Sequence, residues 1–195
     1  MKRVLLACLL LASVCAFARQ RTVKVRLFWL HPPAKTRVVP QSAWIRLCAK
    51  CAAKKIRSPV EFSAASGVSR EIVGRARISG DGFAPFAIDG ELAIQSRGNV
   101  LLLTYMMPLE EYVVAVLQGE SATFKSEEAL KAMAVAARTY AVRFGSRHKA
   151  DDFDFCDTTH CQDVRLGNES QPVRAAVVAT EGELLWYQGR PAATY

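Results

Sequence analysis

The chain has 195 residues, 51% of them hydrophobic and 23% charged, with a formal net charge of +8. That apolar share excludes a disordered chain, and the length suffices for one large domain or two small ones around a real core. The basic excess suits an anionic partner such as cell-wall polymer, or a membrane surface, whereas no basic run interleaved with aromatics points to nucleic acid.

Lys2 and Arg3 form a basic start, "VLLACLLLASVC" is an apolar run, and Ala16-Phe17-Ala18 is an A-x-A cleavage site. Together they make a secretory signal peptide over residues 1–18. The run is short for a bilayer span, which takes about 20 residues, and no later stretch reads as transmembrane. Export is therefore expected, to the periplasm, the cell envelope or beyond. A lipoprotein cysteine at Cys8 is disfavoured because almost no apolar run precedes it. Loss of Lys2 and Arg3 leaves a mature net charge of +6 against 18 acidic residues.

Residues 19–105 read as a β-rich region. "TVKVRLFWL" at 22–30 alternates as a half-buried strand does, and "HPPAKTRVVP", with three prolines, reads as a loop. "AWIRLCAKC", "PVEFSA", "REIVGRARI", "FAIDGELAIQS" and "NVLLLTYM" follow as short segments divided by Gly, Ser, Pro or Asp, the pattern of antiparallel strands. "SRGN" at 96–99 is a hairpin turn with Gly98 at positive φ.

The period changes over 106–195. "PLEEYVVAVLQG" places Pro at a first helical turn, acids behind it and Gly119 just past the end. Ser126 is an N-cap, and Leu130, Met133, Ala134, Ala137, Ala141 and Phe144 predict a helix over 127–144 that ends at Gly145. Glu127 and Lys131 stand at i, i+4 in the favourable order. "QPVRAAVVATEG" reads as a further short helix and "ELLWYQG" as a strand. The domain is expected to continue past Tyr195. The fold class is α+β: an antiparallel β region, two consecutive helices and a Cys/His loop.

Two features carry chemistry. Glu120 sits between the two long helices, whose apolar faces could desolvate it and raise its pKa into the range of a general acid. Against this stands an ordinary solvated turn carboxylate. "FCDTTHC" at 155–161 holds Cys156, His160 and Cys161 at ligand-like spacing, although three donors leave a tetrahedral zinc site short. With Cys8 and Cys15 removed, Cys48 and Cys51 complete an even set of four. Disulfides suit an exported protein, and a tetrathiolate zinc site fits the same spacing. Both stay open on the residues alone.

"MPLEEYVVAVLQGESATFKSEEALKAMAVAARTYA", followed by "CDTTHCQ", resembles the stage II sporulation protein D (SpoIID) family, which includes the LytB amidase enhancers. The resemblance is clear over 105–162, fainter through 83–104, and extends to "TEGELLWYQGRPAATY". It implies a lytic transglycosylase acting on peptide-stripped peptidoglycan, with Glu120 as both acid and base. That single carboxyl would protonate the glycosidic oxygen and then take the proton of the sugar's carbon-six hydroxyl. A 1,6-anhydro ring closes without water, so the second carboxylate of a hydrolase is not needed. The rival implication is a non-catalytic amidase enhancer that binds a cell-wall amidase or glycan, and an envelope anchoring partner also fits.

The resemblance further places Lys131, Arg138 and Tyr140 at polar positions of the motif. Lys131 and Arg138 are i, i+7, where Arg could grip the lactyl carboxylate of muramic acid. A solvated charged stripe, and a core role for Tyr140, are the plainer readings. Some members of the family hold zinc in the Cys/His loop. Here that implies Cys156, His160 and Cys161 and a structural role for the metal; for the fourth position His148, which a loop of seven residues could bring back from the end of the long helix, is the first choice, and water or substrate would otherwise fill it. Glu110 and Glu111 read as helix-start acids. Ser121 stands where the family has methionine and Met133 where glutamine is common, which alters the surroundings of Glu120.

Overall fold

The computed structural model describes residues 21–48, 50–124, 126–167 and 169–194. The signal peptide expected over 1–18 lies outside the described residues. Seven strands come first: β1 (Thr22–Leu27), β2 (Lys35–Arg46), β3 (Lys54–Lys55), β4 (Val60–Ser63), β5 (Ser69–Gly80), β6 (Phe83–Arg97) and β7 (Val100–Pro108). Helix α1 (Leu109–Glu120) and helix α2 (Glu127–Phe144) follow, then β8 (Phe155–Cys156), helix α3 (Gln171–Ala179), β9 (Trp186–Tyr187) and β10 (Arg190–Pro191). This is the expected α+β order, strands before helices.

The main sheet runs β3-β2-β5-β6-β7-β1-β8, with β4 also on β2. All its pairings are antiparallel except β1 with β8, which sets Arg26 opposite Cys156. The Cys/His loop therefore starts from a strand of the sheet. Strict alternation orders the faces: in β7, Leu101, Leu103, Tyr105 and Met107 are buried between half-buried neighbours. Leu92, Ile94, Leu101 and Leu103 are fully buried, and each such side chain contributes about 1.5–3 kcal/mol. Helix α1 is buried at Leu109 and continuously from Tyr112 to Leu117, because it lies between the sheet and helices α2 and α3.

Three expectations are corrected. "HPPAKTRVVP" is not all loop, since β2 begins at Lys35 and alternates buried Thr36 and Val38 with exposed Lys35 and Arg37. Pro40 is tolerated because the pairing with β5 shifts register between Pro40 and Ser42, where a missing N–H costs little. "ELLWYQG" contributes only Trp186–Tyr187, paired with Arg190–Pro191 in a separate two-stranded ladder. Gly119 is not past the end of α1 but inside its last turn, which Ser121 closes. The Ser121 N–H and hydroxyl both donate to the Leu117 carbonyl, at 3.0 and 2.5 Å.

Other local expectations hold. Gly98 has φ 58° in the β6–β7 turn. Ser126 caps α2 by accepting from the Ala129 N–H at 3.1 Å, and that helix spans Glu127–Phe144 with Gly145 at its C-cap.

Candidate functional site

Glu120 occupies the C-terminal turn of α1, half-buried. Its Oε1 accepts a hydrogen bond from the Asp163 backbone N–H at 2.9 Å. Burial raises its pKa above the ordinary carboxylate value, the Asp163 N–H opposes that shift, and the Asp163 charge adds to it. Gly119 makes this approach possible in a way its position in the sequence did not suggest. A Cβ there would lie 2.1 Å from the Asp163 carbonyl oxygen, so only glycine lets the loop strand lie against the helix.

The same loop is sewn to α1 at further points. Arg165 N–H donates to the Ala115 carbonyl at 2.9 Å. The buried Tyr112 hydroxyl donates to Gln162 Oε1 at 3.0 Å, and Tyr112 stacks on Phe155 of β8. Thus α1 and the "CDTTHCQ" loop form one unit, with Glu120 at their seam.

At the other end of that loop four ligand atoms converge. Cys156 Sγ lies 3.3 Å from Cys161 Sγ and 3.6 Å from His160 Nδ1. Cys161 Sγ lies 3.3 Å from His148 Nε2 and 3.7 Å from His160 Nδ1. All four atoms fall within 4.8 Å of one another and can hold a metal ion. The turn after α2 brings His148 back, as expected, and its ring packs on Phe153 with centroids 4.6 Å apart. Burial lowers the pKa of His148, favouring the neutral imidazole that binds metals. Burial beside Cys156 pushes the Cys161 thiol up to about 12, and a bound cation would displace that proton to solvent as it takes the sulfur as a thiolate ligand. Cys48 and Cys51 take no part, being disulfide-bonded to each other. That removes a four-cysteine site.

The other expected site residues are engaged in contacts of their own. Lys131 is in the first turns of α2, paired with Glu127 at 2.6 Å and Glu128 at 3.0 Å. Tyr140 is buried, packs against Phe144 and Phe155, and its hydroxyl accepts from Arg147 Nη1 at 2.9 Å. Arg138 is 1% exposed. Its Nε and Nη2 hold the Glu110 carboxylate at 2.7–3.1 Å, and its remaining N–H groups reach the carbonyls of Ala134, Val177 and Glu183. With all five donors used, it offers nothing to a ligand. The expectation of a substrate-gripping arginine gives way to a buried strut between α1, α2 and the segment after α3.

Glu111 is likewise held, by Arg174 at 2.6 and 2.8 Å, and both acids serve the start of α1. Asp163 is the residue sequence reasoning missed. Its carboxylate pairs with exposed Arg165 at 3.1 Å, and its hydrogen bond to Glu120 comes from the main chain, which no side-chain pattern displays. Its place two residues after Cys161 was the available signal.

Comparison with known proteins agrees with this geometry. Residues 97–187 match the family described as SpoIID, stage II sporulation protein. An uncharacterized protein of Brachyspira hyodysenteriae is 36% identical over 59% of this chain and 32% of its own length. The stage II sporulation protein D of Bacillus subtilis is 35% identical over 44% of this chain and 29% of its own length. The chain thus spans about a third of the length of the curated relatives it matches. Residues 97–187, which hold α1, Glu120, the four-ligand cluster and α3, are the part of the chain that is similar to the SpoIID family.

Proposed function

We propose that the protein is an exported, cell-wall-acting enzyme of the sporulation type, a lytic transglycosylase that cuts peptide-stripped peptidoglycan strands. The observation that carries this reading is the state of Glu120. It is a carboxyl whose pKa is raised by burial, while Glu110 and Glu111 are engaged by Arg138 and Arg174. Because Oε1 accepts from the Asp163 N–H, a proton carried by this carboxyl belongs on Oε2, the oxygen that would meet the substrate.

From there Oε2–H protonates the glycosidic oxygen as the bond from it to the anomeric carbon of muramic acid breaks. The carboxylate left behind takes the proton of the carbon-six hydroxyl, and that oxygen closes onto the anomeric carbon. Glu120 ends ionised, gains that proton, and returns to its starting state. The fixed Asp163 N–H supports the carboxylate while it is charged.

The four-ligand cluster suits zinc. Two thiolates and two imidazoles are its ordinary structural set, and four of the contacts here are 3.3–3.7 Å long, with all four ligand atoms within 4.8 Å of one another. Cys156, Cys161, His148 and His160 would hold the ion, which would supply structure: it would pin the loop whose next residues carry Gln162 and Asp163. Among the described residues no helix is long and apolar enough to cross a membrane, and the signal-peptide pattern of residues 1–18 supports export. A cell-wall amidase or an anchoring protein is a fitting partner.

Release of soluble sugar from peptide-free glycan strands, by the wild type and not by Glu120→Gln, tests the activity. If neither releases sugar yet the wild type stimulates a purified cell-wall amidase, the non-catalytic enhancer is the right reading.

A further inference from the structure

The end of β1 has a surface unlike that of an ordinary connection. Where the chain leaves the sheet it presents "FWLH", and Trp29 and Leu30 are 39% and 68% exposed, although connections of this kind are normally polar. Phe28 adopts φ 55°, a costly conformation for a bulky residue and one that persists only where surrounding contacts impose it. Those contacts are visible. The Asp157 carboxylate accepts the Phe28 N–H at 2.5 Å and the Trp29 N–H at 3.1 Å. The Phe28 ring stacks on Phe83, centroids 4.1 Å apart. Trp29 in turn packs against Phe153 and His148. A residue of the metal loop thus uses both carboxylate oxygens to hold an aromatic turn in a strained position.

That turn forms one wall of a cleft of about 620 Å³, within the range of ligand pockets. Phe83 and Phe86 extend the apolar wall, while Thr158, Thr159, Asp163 and Arg165 form a polar one. Asp163 is the residue whose N–H donates to Glu120, so one residue of the polar wall also touches the candidate catalytic carboxyl. Arg165 is already neutralised by Asp163, which makes the cleft a poor match for a polyanion. A wall of aromatic rings facing hydroxyls and carboxylates instead matches a sugar, which has apolar C–H faces and a rim of hydroxyl groups.

We propose that the Phe28–His31 turn is a saccharide platform, on which Trp29 receives a sugar ring of the glycan strand whose scissile bond lies at Glu120, and that Asp157 is its positioning residue. The proposal rests on the transglycosylase reading above. It gives the strand a direction across the molecule, from Glu120 along the Asp157–Leu166 segment to the end of β1. It also gives the metal loop a second task, since the residue after Cys156 sets the platform.

The test uses the zinc-loaded, ¹⁵N-labelled Glu120→Gln protein, titrated with a peptide-free GlcNAc–MurNAc tetrasaccharide. The three tryptophans, Trp29, Trp44 and Trp186, give separate indole N–H signals, so no aromatic substitution is needed to read the platform. Expected is a saturable shift of the Trp29 indole and the Asp163 amide, with Trp44 and Trp186 unmoved. Trp29→Ala should then bind about tenfold more weakly and Trp29→Phe within a few-fold of the parent. Movement of Asp163 with a still Trp29 overturns the platform while leaving the catalytic reading intact. If no signal moves at any concentration, the platform falls together with the glycan-cutting reading beneath it.

Discussion

Replacing Arg138 with alanine separates the two roles this residue has been given. In the structure the substitution strips the Glu110 carboxylate, whose side chain is 20% exposed, of its three close N–H contacts. It also leaves the carbonyls of Val177 and Glu183 without the guanidinium they now meet at 3.3 and 3.2 Å. Removing one partner of a buried ion pair costs about 3–5 kcal/mol, because the remaining charge stays desolvated and unpaired. For a chain of this size each kcal/mol is worth about 2–4 °C, so the melting temperature should fall by roughly 10 °C. Urea unfolding of the wild type, Arg138→Ala, Glu110→Leu and the double variant Arg138→Met/Glu110→Leu measures this directly. The double variant should regain most of the lost stability, since replacing both charges with apolar groups is often close to neutral. If Arg138→Ala keeps wild-type stability and loses affinity for muramic-acid carboxylates, the strut assignment is refuted and Arg138 is a ligand-binding residue after all.

Further expectations concern the seam between α1 and the Cys/His loop and the cysteines around it. Glu120, with its pKa raised in the fold, favours folding when protonated, and that contribution is lost as pH rises through its folded pKa. Glu120→Gln should therefore be more stable than the wild type at neutral pH by urea unfolding, the difference vanishing below the ordinary carboxylate range. For the same reason activity should persist to a higher pH than an unperturbed glutamate would allow. Gly119→Ala, which in an exposed helix would gain up to about 1 kcal/mol, should here cost about 1–3 kcal/mol by overpacking against Asp163 and lower kcat. Chelation should reduce the melting temperature by about 10 °C or more, with recovery on adding zinc. Changing Cys48 and Cys51 together to serine should leave the metal content, read by atomic absorption, unchanged.

What the sequence made legible follows from which interactions are local. The Ser126 cap, the α2 span and the i, i+4 pair of Glu127 and Lys131 depend on neighbours within one or two turns, and periodicity reports these. The clustering of His148, Cys156, His160 and Cys161 was legible because the reactive residue types are few and a turn of short reach joins His148 to Cys156. Arg138 misled because a helical face at i, i+7 does not say whether it meets water or another helix. Here α3 and Glu110 cover it. Pro40 inside β2 was hidden because the irregularity that admits it, an extra β2 residue between Pro40 and Ser42, shows only against the register of the partner strand β5. Asp163 acts through its main-chain N–H, and Gly119 through space left for a carbonyl 44 residues away in sequence. Neither contact shows in the residue types themselves.

The most direct test of the catalytic claim is the mass of the cut ends. The zinc-loaded protein is incubated with peptide-free glycan strands in ¹⁸O-enriched water, and the soluble products are read by mass spectrometry. Muramic acid ends in the 1,6-anhydro form, free of ¹⁸O and absent with Glu120→Gln, are the expected result. Reducing ends carrying ¹⁸O would contradict the single-carboxyl mechanism, mark the protein as a hydrolase, and turn attention to Asp163 as the second carboxylate.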